Sequence, residues 1–178
     1  MTHRIHGFSI RQTTGRRVLL ATALAAGACR DSTPARPRTA LAAPAAVEAQ
    51  LLLSSLRPQQ GQEVEARLRI NTGAGVRPVG SFTATIVYDS TALTFLAEDP
   101  ATSGGMRVVN PLAGAARVAG ISSAGFEDGS LVTLHFTARR AASLQDANAT
   151  ISELHSVDRV DLLARVASRR VSAQLLGR

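Results

Sequence analysis

Between Glu63 and Asn71 the chain alternates without a break: Glu-Val-Glu-Ala-Arg-Leu-Arg-Ile-Asn. Val64, Ala66, Leu68 and Ile70 share one side of an extended chain, and Glu63, Glu65, Arg67 and Arg69 share the other. A helix would scatter these apolar residues around its circumference. A strand gathers them, because successive side chains point to opposite faces. Ser81–Tyr88 repeats the pattern with Phe82, Ala84, Ile86 and Tyr88 inward and Ser81, Thr83 and Thr85 outward. Ser130–Thr137 repeats it again, with Val132, Leu134 and Phe136 inward.

Shorter runs at Glu48–Leu53, Leu93–Ala97, Arg107–Asn110, Arg117–Ile121, Ala149–Leu154 and Arg170–Leu175 complete a set of nine expected strands. Pro58 to Gly61, Gly73 to Gly75, Gly104-Gly105, Pro111 and Asp128-Gly129 punctuate them as turn signals. Gly129 is expected to supply the positive φ of a tight hairpin. Asp158–Ala167 offers at most one helical turn. Nine short strands with almost no helix predict an all-β sandwich. About 130 residues can bury roughly two-thirds of their unfolded surface, enough for a stable core without disulfides.

The first 46 residues have a different character. Arg4, Arg11, Arg16 and Arg17 precede an apolar run, Val18 to Ala28, of 11 residues. A bilayer span needs about 20 apolar residues, so this run is too short to cross one. A basic segment, a short apolar stretch and small closing residues predict a signal peptide over residues 1–28. Cys29 follows directly and is the only Cys in the chain. Small residues before a Cys resemble a bacterial lipobox, which implies that the Cys29 thiol is lipidated and anchors the protein to a membrane, at the cell surface or in the periplasm. Cleavage at Ala40-Leu41-Ala42 is the alternative, and would leave a secreted protein without Cys29. Arg16-Arg17 also resembles a twin-arginine export signal. Residues 29–46 hold Pro34, Pro37 and Pro44 amid many Ala. Proline fixes φ and prevents regular pairing, so this stretch predicts a semi-rigid tether.

Charge follows the same division. All 20 basic residues are Arg. Seven lie in residues 1–46 against one acid, Asp31, while residues 47–178 hold 13 against 12 acids. The folded part is nearly neutral, which removes the electrostatic basis for nucleic-acid binding.

The order of features from 47 to 176 resembles a cohesin-type module. The matching residues begin with the Leu56–Val64 loop and second-strand start. They continue with Val79-Gly80-Ser81-Phe82 leading into the third strand, Tyr88-Asp89 closing it, and Leu93 four residues on. Asn110, Gly114 and Val118 follow, then Gly129-Ser130-Leu131-Val132-Thr133-Leu134-His135-Phe136. The resemblance implies a nine-stranded jelly-roll β-sandwich, a fold shared by cohesins and some carbohydrate-binding modules. It also implies a non-catalytic module for protein contact or surface assembly, with a dockerin-like partner and a setting of polysaccharide degradation. The outward residues Ser81, Thr83 and Thr85 would then form the partner-binding face, although small hydroxyls stand where many dockerin-binding cohesins carry Asn and Asp.

Chemistry-bearing patterns are sparse. His135 is expected on the outward face of a strand and His155 at a strand end, in no zinc-ligand spacing, so no metal and no cofactor is expected. There is no Gly-x-Ser-x-Gly elbow around Ser122-Ser123. Glu98-Asp99 and Glu127-Asp128 read as solvated loop pairs rather than the converging carboxylates of a glycosidase or the dense acidic loop of a calcium site. The expected protein is not an enzyme. Asp89, in Tyr88-Asp89-Ser90-Thr91, is expected to close a turn by bonding backbone N–H groups two residues on.

Two other functions compete with protein binding. A polysaccharide module needs exposed aromatic rings for sugars to stack on. The chain has no Trp, one Tyr and five Phe, and only Phe126, in Gly125-Phe126-Glu127, is expected at the surface. A spacer that displays no ligand of its own is the other alternative.

Overall fold

The computed structural model describes residues 47–101, 105–126 and 129–177. Nine strands run through them: β1 Val47–Leu53, β2 Glu63–Thr72, β3 Val79–Val87, β4 Leu93–Glu98, β5 Met106–Leu112, β6 Ala115–Ile121, β7 Ser130–Ala138, β8 Asn148–Ser156 and β9 Arg170–Leu175. The helical turn expected between 158 and 167 is a short 3-10 turn, Leu163–Arg165.

Hydrogen bonding links the strands in the order β4-β7-β2-β1-β9-β8-β3-β6-β5. β9 is the hinge of this order. Its first half pairs antiparallel with β8, and its second half pairs parallel with β1. The sheet therefore folds into two layers, β4-β7-β2-β1 and β8-β3-β6-β5, closed on one side by β9. The inward sets predicted from alternation are buried together: Val64, Leu68 and Ile70 of β2, Phe82, Ala84 and Ile86 of β3, and Val132, Leu134 and Phe136 of β7. The architecture is the expected all-β sandwich.

Two of the turn signals fall elsewhere than expected. Pro111 lies inside β5, opposite Ala116, rather than between strands. β5 is an edge strand with one partner, the setting in which a strand tolerates a proline, whose nitrogen forfeits no ladder bond when it faces solvent. Gly129 does adopt a positive φ of 67°, but it stands where the chain crosses from β6 in one layer to β7 in the other, not in a hairpin. Its close approach to β2 has a steric reason: a Cβ on Gly129 would lie 1.8 Å from the Ile70 carbonyl oxygen.

The side opposite β9 is bounded by the edge strands β4 and β5. Arg107 of β5 bridges them. Its side chain is only 7% exposed. It donates to the Leu131 carbonyl at 2.9 Å and to the Asp99 carbonyl, and its guanidinium lies 3.7 Å from the Glu98 carboxylate. Glu98 is thus partly buried against Arg107 rather than solvated in a loop. Glu127 and Asp128 lie outside the described residues.

Candidate functional site

Strand register turns the outer face of β8-β3-β6-β5 into a grid. His155, Ser81, Ile121 and Met106 stand in one row; Glu153, Thr83, Ala119 and Val108 in the next; Thr150, Thr85, Arg117 and Asn110 in the third. Ser81, Thr83 and Thr85 share this face, as alternation requires. Thr83 donates its hydroxyl to the Glu153 carboxylate at 2.8 Å, and Ser152 donates to the Thr83 carbonyl at 3.2 Å. These bonds hold Glu153 over β3 at the polar side of the grid.

The apolar side belongs to β5 and β6. Met106 is 71% exposed, Val108 64% and Ile121 61%. The register sets Met106 beside Ile121, and Val108 beside Ala119. Between these residues and Ser81, Thr83 and Glu153 lies a shallow depression of about 280 Å³. Single exposed apolar residues are ordinary on a protein surface, but contiguous ones rimmed by polar groups mark contact sites. Sequence alternation finds Ser81, Thr83 and Thr85 but not Met106, Val108 and Ile121. In Met106-Arg107-Val108-Val109 apolar residues occupy both faces, and the buried residue between Met106 and Val108 is an arginine, which inverts the usual cue.

Phe126 is not at the surface. It is 7% exposed and packs edge-to-face on Phe82, with ring centroids 5.1 Å apart. Gly120 of β6 makes room for both rings, since a Cβ there would meet Phe82 at 2.5 Å and Phe126 at 3.0 Å. The expected sugar-stacking ring is therefore a core side chain. Tyr88 is likewise buried against Phe136, and its hydroxyl donates to the Leu112 carbonyl at 3.1 Å. Burial raises its pKa. Phe95 is half-buried, edge-on to Phe136.

Asp89 closes its turn as expected. Its Oδ1 accepts from the Thr91 backbone N–H at 2.8 Å and from the Thr91 hydroxyl at 2.7 Å, and Oδ2 accepts from Arg140 at 3.0 Å. The Thr91 hydroxyl and backbone bonds, with Arg140 adding to them, lower its pKa.

On the opposite layer His135 faces outward, as predicted, but it is not isolated. Its Nδ1 lies 2.9 Å from Glu63 of β2, and its Nε2 lies 2.8 Å from Asp99 just beyond β4. Both ring nitrogens are engaged by carboxylates, which leaves neither for activating a nucleophile. Among the described residues no group of three or more His, Cys, Asp or Glu is arranged to hold a metal ion. No described helix is long and apolar enough to cross a membrane. Cys29 lies outside the described residues.

No protein-family model and no curated protein matches the chain. Solved structures do. CaCohA2, in complex with a variant of CaDoc0917, matches at a TM-score of 0.53 and 19% identity over 73% of this chain and 99% of its own. The sixth cohesin of Acetivibrio cellulolyticus scaffoldin B, in complex with a Cel5 dockerin mutant, matches at 0.52 and 17% over 72% and 99%. The non-cellulosomal cohesin of the archaeon Archaeoglobus fulgidus matches at 0.51 and 18% over 73% and 92%. The domain from β1 to β9 has the cohesin-type fold.

Proposed function

We propose that this domain is a non-catalytic protein-binding module that engages a dockerin-like partner through the outer face of β8-β3-β6-β5. One observation carries the reading: Met106, Val108 and Ile121 stand exposed together on one face, beside hydroxyl and carboxylate groups that give a partner a fixed polar rim. Interfaces of this kind place an apolar centre inside a polar border, and a few central residues supply most of the affinity. Solved relatives of the same fold carry dockerins in their complexes, which supports a protein partner over a sugar. The burial of Phe126 removes the one aromatic platform that a polysaccharide reading had. The export signal over residues 1–28, lipidation at Cys29 and the tether to residue 46 would place the module at the cell envelope.

Capture by immobilised domain tests the proposal. The secreted proteins of the source organism and a panel of insoluble polysaccharides are offered to residues 47–178 and to a Met106→Glu, Ile121→Glu double variant. Retention of a specific protein by the wild type and its loss from the variant, with thermal stability unchanged, is the expected result. Retention of polysaccharide alone, or capture unaffected by the two charges, would overturn it.

A further inference from the structure

The Glu63–His135–Asp99 cluster plays no part in the docking face and lies on the other layer of the sandwich. Its geometry sets a protonation requirement. An ionised carboxylate only accepts hydrogen bonds, and a neutral imidazole has one N–H to give. Here both ring nitrogens lie within 2.9 Å of a carboxylate oxygen. Only the imidazolium donates to both; a neutral ring must turn a lone pair toward one of the two anions.

The three residues come from three neighbouring strands or the residue just past one. His135 is on β7, Glu63 begins β2, and Asp99 follows β4. β4 is an edge strand bound to β7 alone, and its register slips between Phe95 and Ala97, directly before the residue opposite His135. We propose that His135 is a proton-operated clasp that fastens the end of edge strand β4 to β7 and β2 when its ring is protonated, and loosens it when the proton leaves. The remaining charges around it do not replace its role. From β2, Glu65 stands opposite His135 but is paired with Arg67 at 2.6 Å. From β4, Glu98 faces Arg107 across the sandwich. The excess charge facing the ring is negative.

The bond to Asp99 raises the His135 pKa above its ordinary 6.5; burial opposes it, and the bond to Glu63 and the charges of both carboxylates add to the rise. A raised folded value means that the stabilisation is complete below the unfolded pKa and disappears as pH climbs through the folded one. The loosened part of the chain includes the Asp99 carbonyl that Arg107 of β5 also holds, so the free side of the sandwich would feel the change.

Two measurements on the full chain test the clasp. In an NMR titration of the His rings, the resonance lost in His135→Gln belongs to His135. Its midpoint is expected above 6.5, and is expected to fall in both Glu63→Gln and Asp99→Asn. A midpoint at or below 6.5, or one unmoved by both variants, would overturn the proposal. In amide hydrogen exchange corrected for intrinsic rates, protection of Leu93–Glu98 relative to β3 is expected to be greater at about pH 6 than at about pH 8.5, a window set by the ordinary histidine value. That difference should vanish in His135→Gln, or in Asp99→Asn should the first variant fold poorly. Equal protection at both pH values in the wild type would mean the ring is a static surface contact.

Discussion

Arg107 reaches from β5 through the free side of the sandwich to donate a 2.9 Å hydrogen bond to the carbonyl of Leu131 in β7. The two strands belong to different layers, and no backbone ladder joins them. Arg107 also holds the Asp99 carbonyl and faces Glu98, so one guanidinium ties β5, β4 and β7 together. The fork of donors explains why an arginine occupies a buried position: a single ammonium cannot address two carbonyls and a carboxylate in fixed directions.

Arg107→Ala should therefore destabilise the domain by about 2–4 kcal/mol, from charge-assisted hydrogen bonds worth about 1.5–3 kcal/mol each and a partly buried Glu98 left without its cation. Arg107→Lys should recover only part of that loss. Urea unfolding followed by far-UV circular dichroism gives the values. A change of less than about 0.5 kcal/mol for the alanine variant, the range of ordinary surface substitutions, would mean that Arg107 is a surface residue in practice.

Phe126 supports a second prediction. Its ring lies under Gly120 and edge-on to Phe82 at the end of the sandwich, and its backbone N–H donates to the Val79 carbonyl at 3.0 Å. Removing such a ring leaves a cavity as well as losing its transfer energy. Phe126→Ala should cost about 3–5 kcal/mol, a large part of the stability of a domain this size. It should leave any retention on polysaccharide unchanged, once measured at a temperature where the variant is folded. A variant as stable as the wild type that had lost polysaccharide binding would return the ring to the surface.

These two residues also show where sequence reading succeeds and where it stops. The inward faces of β2, β3 and β7 were legible because strict alternation leaves one register that buries every apolar residue, and a one-residue slip would expose them all. Phe126 was misread because its burial depends on a missing side chain at Gly120, a relation between two strands that no local pattern records. Met106 and Val108 were missed because β5 is apolar on both faces and its buried polar residue, Arg107, imitates an exposed one. Glu63, Asp99 and His135 are separated by 36 and 72 positions in the chain, and only the pairing of β4, β7 and β2 brings them together. Period-two patterning assigns faces within a strand; it carries no information about which strand lies next to it.

Cys29 gives the last prediction, on localisation. In a lipobox the cysteine thiol takes up a diacylglycerol through a thioether, and a serine hydroxyl at the same position does not. Each buried methylene contributes about 0.8 kcal/mol to membrane partitioning, so two or more acyl chains hold a protein that a tether alone would release. Cys29→Ser should therefore shift the protein from the membrane fraction to the soluble fraction. The domain should remain intact, because among the described residues the buried core runs from Val47 to Leu162, far from position 29 in the chain. Fractionation followed by immunoblotting distinguishes the outcomes. A variant that stays with the membrane, while melting like the wild type, would overturn lipidation at Cys29 and leave cleavage near Ala40-Leu41-Ala42, with membrane contact arising elsewhere, as the reading to pursue.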